Sequence, residues 1–295
     1  MLNLQRAKGI PVFTPEIASN NVFWVDSGGD GDNSPNAGTW ELPFKTIDYA
    51  VGKCTASKGD IIYVKPGHAE TIASATTLAL DVIGVQVIGL GGLTKRPALT
   101  FSATASQIII SAADITIRNF QFKNAVDSLV AGISVMAAGC VIENCAFTSP
   151  TATNDALIWV ITAAGADDLV FKGNDIRGNN AGPTEAIRLV GADRAKIIEN
   201  YITGSYSTAN INGITTASTE LLIAGNTLTN SVTDALLIDL VASCTGRIER
   251  NNGTVVSTGA WTFTAIIDPS SCQLAENYVS DAVGETGKLA GTVSA

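Results

Sequence analysis

The 295-residue chain has no block rich in lysine or arginine. Its 18 basic residues are scattered and outnumbered by 27 acidic ones, giving a formal charge of −9. That balance argues against a broad electrostatic contact with nucleic acid or an anionic membrane surface. Charged residues make up only 15% and hydrophobic residues 46%, the reverse of a disordered or coiled-coil composition. Long apolar runs are missing as well. The most apolar region, 76–93, is interrupted by Asp81 and is rich in glycine, so no membrane span is expected. The opening MLNLQRAKGIPVF lacks the apolar core of a signal peptide, which points to synthesis in a reducing cytoplasm. The five cysteines (54, 140, 145, 244 and 272) are odd in number and lack metal-ligand spacing; Cys140, Cys145 and Cys272 read as buried free thiols. No cofactor is expected.

What the chain does have is a repeat. Apolar residues five apart, with asparagine between them, recur as Ile117/Phe122, Ile142/Phe147, Phe171/Ile176, Ile197/Ile202, Ile223/Leu228, Ile248/Gly253 and Leu274/Val279. The first members are separated by 25, 29, 26, 26, 25 and 26 residues. Asn119 and Asn144 follow the first member by two, and Asn174, Asn200, Asn226, Asn251 and Asn277 by three. Between these segments run short, β-branched stretches such as ALIWVIT, AIRLV and ALLIDLV.

A period of this length built from strands and turns is one coil of a parallel β-helix. The helical half and the leucine spacing of a leucine-rich repeat are missing. Coils stack about 4.8 Å apart, so the apolar pairs should form a continuous core. The seven asparagines should form a structural ladder at the bend, a place suited to a residue that tolerates left-handed backbone.

Earlier, less regular coils are expected in GDIIYVKPGHAETI, VQVIGLGGL and QIIISAADITI, for about nine coils in all. Before them, Thr46 reads as an N-cap, and Ile47, Ala50, Val51 and Cys54 have helical spacing. A short helix there would plug the bore and cover its strand edges. The expected organisation is an N-terminal arm (1–20), a cap with a short helix (21–58), the parallel β-helix (59–283) and a C-terminal tail (284–295).

The run VDSGGDGDNS…PFKTIDYAV…GDIIYVKPGHAETI, followed by coils bearing asparagine, resembles the pectate-lyase-like right-handed parallel β-helix proteins of tailed bacteriophages. The resemblance spans residues 22–283. It implies an all-β, right-handed single-stranded parallel β-helix. The family includes enzymatic tailspikes and non-enzymatic virion components such as head-decoration proteins, so the motif specifies fold better than activity.

A search for chemistry yields little. Asn154-Asp155 and Asp167-Asp168 lie within one coil, and the Gly-His-Gly and Arg-Ile-Lys stretches of polygalacturonase-like members are missing. The best carboxylate pair is Asp239 and Asp268, which fall on neighbouring coils when ALLIDLV is aligned with TAIIDPS. His68 stands in the turn PGHAE, where a polar residue is at home. Asp26, Asp30 and Asp32 have oxygen ligands at short spacing but lack the later glutamate of an EF-hand, and no metal is expected. Trp159 and Trp261 fall on strands and read as packing residues before sugar platforms.

The arm contains isolated apolar residues, Leu2, Leu4, Ile10, Val12, Phe13 and Ile17. Alone they bury too little surface to offset the entropy of ordering, so they are expected to anchor the chain on a neighbouring subunit or particle. The expected function is a non-enzymatic virion protein, made in the host cytoplasm. It would be a homo-oligomer, a trimer, bound to the major capsid protein or another virion component. A polysaccharide depolymerase using Asp239 and Asp268, or a non-catalytic glycan-binding adhesin, are the alternatives.

Overall fold

A computed structural model describes residues 21–28, 31–149, 151, 153–178, 182–256 and 266–281, and the backbone of three short strands, Gln5–Ala7, Ile10–Val12 and Thr286–Leu289. The chain forms a parallel β-solenoid with three walls. The first wall has ten strands, from Val22–Val25 to Gln273–Ala275. The second runs from Ala69–Ile72 to Asn277–Asp281, with Thr286–Leu289 added antiparallel to its last strand. The third has eight strands, from Ala79–Leu80 to Ile267–Asp268. Among the described residues eight turns are thus complete, and two strands of a ninth follow.

The expected register holds throughout. Ile117, Ile142, Phe171, Ile197, Ile223, Ile248 and Leu274 are successive partners in the first wall. Phe122, Phe147, Ile176, Ile202, Leu228, Gly253 and Val279 are successive partners in the second. Their side chains fill the bore; the rings of Phe122 and Phe147 stack with centroids 4.8 Å apart. Gly253 breaks the apolar column for a steric reason: a Cβ there would come within 2.2 Å of Leu237 Cδ1, which reaches across from the third wall.

The upper end is closed by the helix Ile47–Val51. Thr46 caps it, its side chain accepting from Tyr49 N, and Ile47, Ala50 and Val51 are buried against the first turns. Residues 21–58 also contribute to the solenoid itself, since Val22–Val25 pairs in parallel with Ile61–Val64 as the outermost strand of the first wall. No helix among the described residues is long and apolar enough to cross a membrane.

Candidate functional site

The asparagines separate into two kinds. Asn174, Asn200, Asn226, Asn251 and Asn277 are buried and joined in a row. The backbone N–H and Nδ2 of each of the first four donate to Oδ1 of the next, at 2.8–3.2 Å. Each Nδ2 also donates to a carbonyl one turn above: Asn200 to Phe171, Asn226 to Ile197, Asn251 to Ile223. The row ends upward at Cys145, whose N–H donates to Asn174 Oδ1 and whose Sγ accepts from Phe120 N.

Asn119 and Asn144 are outside this row, which corrects the seven-membered ladder. They occupy the preceding position, with φ of 63° and 54°, in line with Gly173, Glu199, Gly225, Arg250 and Glu276, which are all left-handed as well. The left-handed residue of the bend is therefore the one before the ladder asparagine. The ladder amides are selected for hydrogen bonding, and tolerance of positive φ is required one residue earlier. The difference between a spacing of two and of three was the visible sign of this.

Asp239 and Asp268 are register partners on neighbouring turns of the third wall, in the strands Leu236–Leu240 and Ile267–Asp268. Ile238 and Ile267 beside them are buried, so by strand alternation both side chains face outward, from strands about 4.8 Å apart along the axis. Asp239 is half-buried. Burial pushes its carboxyl above the usual range, and the Asp268 charge pushes it the same way. Above them in the same column stand Asn212 and Arg188. Arg188 pairs with the buried Glu185, which also accepts from Asn212 Nδ2 at 2.7 Å. This second carboxylate group was not found from sequence; its only signal is a Glu and an Arg three apart within one strand.

Other candidates have structural surroundings. His68 Nδ1 accepts from Ser27 N at 2.9 Å, which leaves Nε2 as the donor to Glu70 Oε2 at 3.2 Å. The same Glu70 oxygen accepts from Ile47 N at the start of the capping helix. Asp60, fully buried, accepts from Asn21 and Thr55. Asp26 accepts from Gly28 N in a local turn, and Asp30 lies outside the described residues. Asp167 and Asp168 both face Arg194; the Arg194 guanidinium holds the Asp168 carboxyl below its ordinary value. Trp159 is a core residue, its ring 5.5 Å from that of Phe147, so it offers no sugar platform. Trp261 lies outside the described residues, as do the side chains of the arm, Leu2, Leu4, Ile10, Val12, Phe13 and Ile17. Among the described residues no three His, Cys, Asp or Glu stand where they could hold a metal ion, and all five cysteines are free thiols.

Two exposed aromatics went unnoticed in the sequence. Tyr201 and Tyr278 directly follow the ladder residues Asn200 and Asn277, and are 44% and 52% exposed on the second wall. The residue after a ladder asparagine always begins the outward column of that wall, and this was the signal to follow.

No protein-family model and no curated protein matches the chain. Solved structures do. A rhamnogalacturonan lyase is similar with a TM-score of 0.46 and 12% identity, over 82% of this chain and 75% of that one. Pectate lyase Pel9A is similar with a TM-score of 0.40 and 11% identity, over 92% of this chain and 79% of that one. The likeness is one of fold.

Proposed function

We propose that this chain is a structural protein of a tailed-bacteriophage particle, a β-helix assembled as a homotrimer that decorates the capsid or forms a short appendage. The observation that carries this reading is where the polar residues of the resembling motif are used. Thr46 caps the helix, Glu70 holds its first N–H, His68 ties Glu70 to Ser27, and Asp60 ties Asn21 to Thr55. The segment that marks the resemblance thus closes and stiffens one end of a rod. Locating the copies on purified virions by electron microscopy tests the reading; a protein found free of particles would overturn it.

A second reading has one specific observation in its favour. Two outward-facing carboxylates paired in register on neighbouring strands, one of them with a raised pKa, are the kind of pair from which an acid and a nucleophile for glycoside cleavage could be drawn. Reducing ends released from host polysaccharide by the wild type, and lost in the double variant Asp239→Asn/Asp268→Asn, would establish that activity. Wild-type protein that leaves the polysaccharide intact would retire it.

A further inference from the structure

The outer face of the first wall changes character along its length. Val25, Ile62, Val64 and Val87 face the bore, so the alternate residues Trp24, Tyr63 and Ile88 form an outward column in unbroken register. The Trp40 ring meets the Trp24 ring edge-on at 4.7 Å, and the Tyr63 ring lies 5.1 Å from Trp24 on its own strand's side. These four side chains are half-buried; Val22, on the strand of Trp24, and Leu42, two residues from Trp40, are exposed. From the next strand down the same column is charged, with Arg118 paired to Glu143. Lys65 marks the rim of the aromatic patch, its Nζ 4.6 Å from the Trp40 ring centroid.

We propose that this patch receives the N-terminal arm, residues 1–20, of a neighbouring copy. The proposal rests on the homotrimer reading above and names the surface by which the copies hold one another. The place where the arm begins favours it as occupant. Asn21 directly precedes Val22 and is fixed by Asp60, which accepts from its N–H at 2.7 Å and from its Nδ2 at 3.1 Å. In a closed ring each copy therefore releases its arm at the level where the next offers its patch. Residues 13–20 span up to about 27 Å when extended, enough to pass from one copy to the next. The arm also needs a surface. Gln5–Ala7 and Ile10–Val12 pair with each other and, among the described residues, with no wall of the solenoid. A two-stranded hairpin is at best marginal in water by itself. Its sequence supplies Ile10 and Val12, and Phe13 follows, the apolar chemistry that an aromatic patch takes. Size points the same way. Six side chains fall short of the roughly 800 Å² per partner of a stable contact between rigid faces, but suit one short segment.

The test is photocrosslinking in the full chain, with benzoylphenylalanine in place of Phe13. Irradiation should give covalent dimers and trimers on a denaturing gel. Mass spectrometry should map the new bond to the segments holding Trp24, Trp40, Tyr63 or Ile88. Trp40→Gln/Ile88→Gln, two changes on the outer surface, should lower the crosslink yield at least about tenfold, with far-UV dichroism confirming the fold. Should that variant be destabilised, the map alone decides. Sedimentation of the wild type separates the two readings. A monomer would overturn the trimer reading and this proposal together. An oligomer whose crosslinks stay within one copy, fall on other residues, or persist at full yield in the folded double variant would overturn this proposal alone.

Discussion

Asn226 shows how much one side chain can hold. Its Oδ1 receives the N–H and Nδ2 of Asn200, and its own Nδ2 serves both the Ile197 carbonyl and Asn251 Oδ1. Asn226→Ala would leave these buried groups unpaired, at a cost of about 3 kcal/mol, measurable by denaturant unfolding. Asn144→Gly is the informative contrast. It replaces a left-handed asparagine outside the row, and it should leave stability unchanged or raise it. Asp239 makes a prediction of the opposite kind. Its folded-state pKa lies above the unfolded one, so the neutral acid suits the fold; the stabilisation is complete below the ordinary carboxylate pKa and is lost as pH rises through the raised value. Asp239→Asn should therefore raise Tm at neutral pH, and that gain should vanish at about pH 3.

At the scale of strands and turns, most of the architecture was legible because stacking repeats the same physical demand every 26 residues or so. Ile197 and Ile223 are fully buried and directly paired. Ile223→Asp should prevent folding, since the wall above and below offers that carboxylate no partner; native-like far-UV dichroism and an unchanged melt would show the register to be wrong. The capping helix was legible from Thr46 and the spacing behind it. The polar network around it was not. His68, Glu70 and Ser27 meet only because the first two coils bring residues 41 apart into contact, and nothing local in PGHAE announces that. The same holds for Asp239 and Asp268, whose alignment was readable from the repeat, while the half-burial that raises the Asp239 pKa depends on the surrounding chain.

At the scale of the molecule, a solenoid is held by contacts between neighbouring turns, so its parts can be removed with local consequences. A chain starting at Asn21 keeps Val22–Val25, the capping helix and every turn below them. It should therefore retain its strand content and a cooperative melt. If the proposed virion trimer forms and residues 1–20 anchor it, sedimentation of this shortened chain should show a monomer and virions should lack the protein. Incorporation at wild-type copy number would move the attachment surface to the coils or the C-terminal tail.

The asparagine row also governs how such a rod can flex. It binds the corner between the first and second walls with short, directional bonds that run through consecutive turns. Hydrogen bonds weaken steeply when stretched or misaligned, whereas packed apolar side chains can slide by fractions of an ångström at little cost. That corner is therefore the least extensible line on the surface, and bending must take place about it. The strain of a bend then falls on the wall farthest away, the third, where turns separate or close most for a given curvature. The step between Asp239 and Asp268, which lies on that wall, is accordingly among the spacings that a bend of the solenoid would change most.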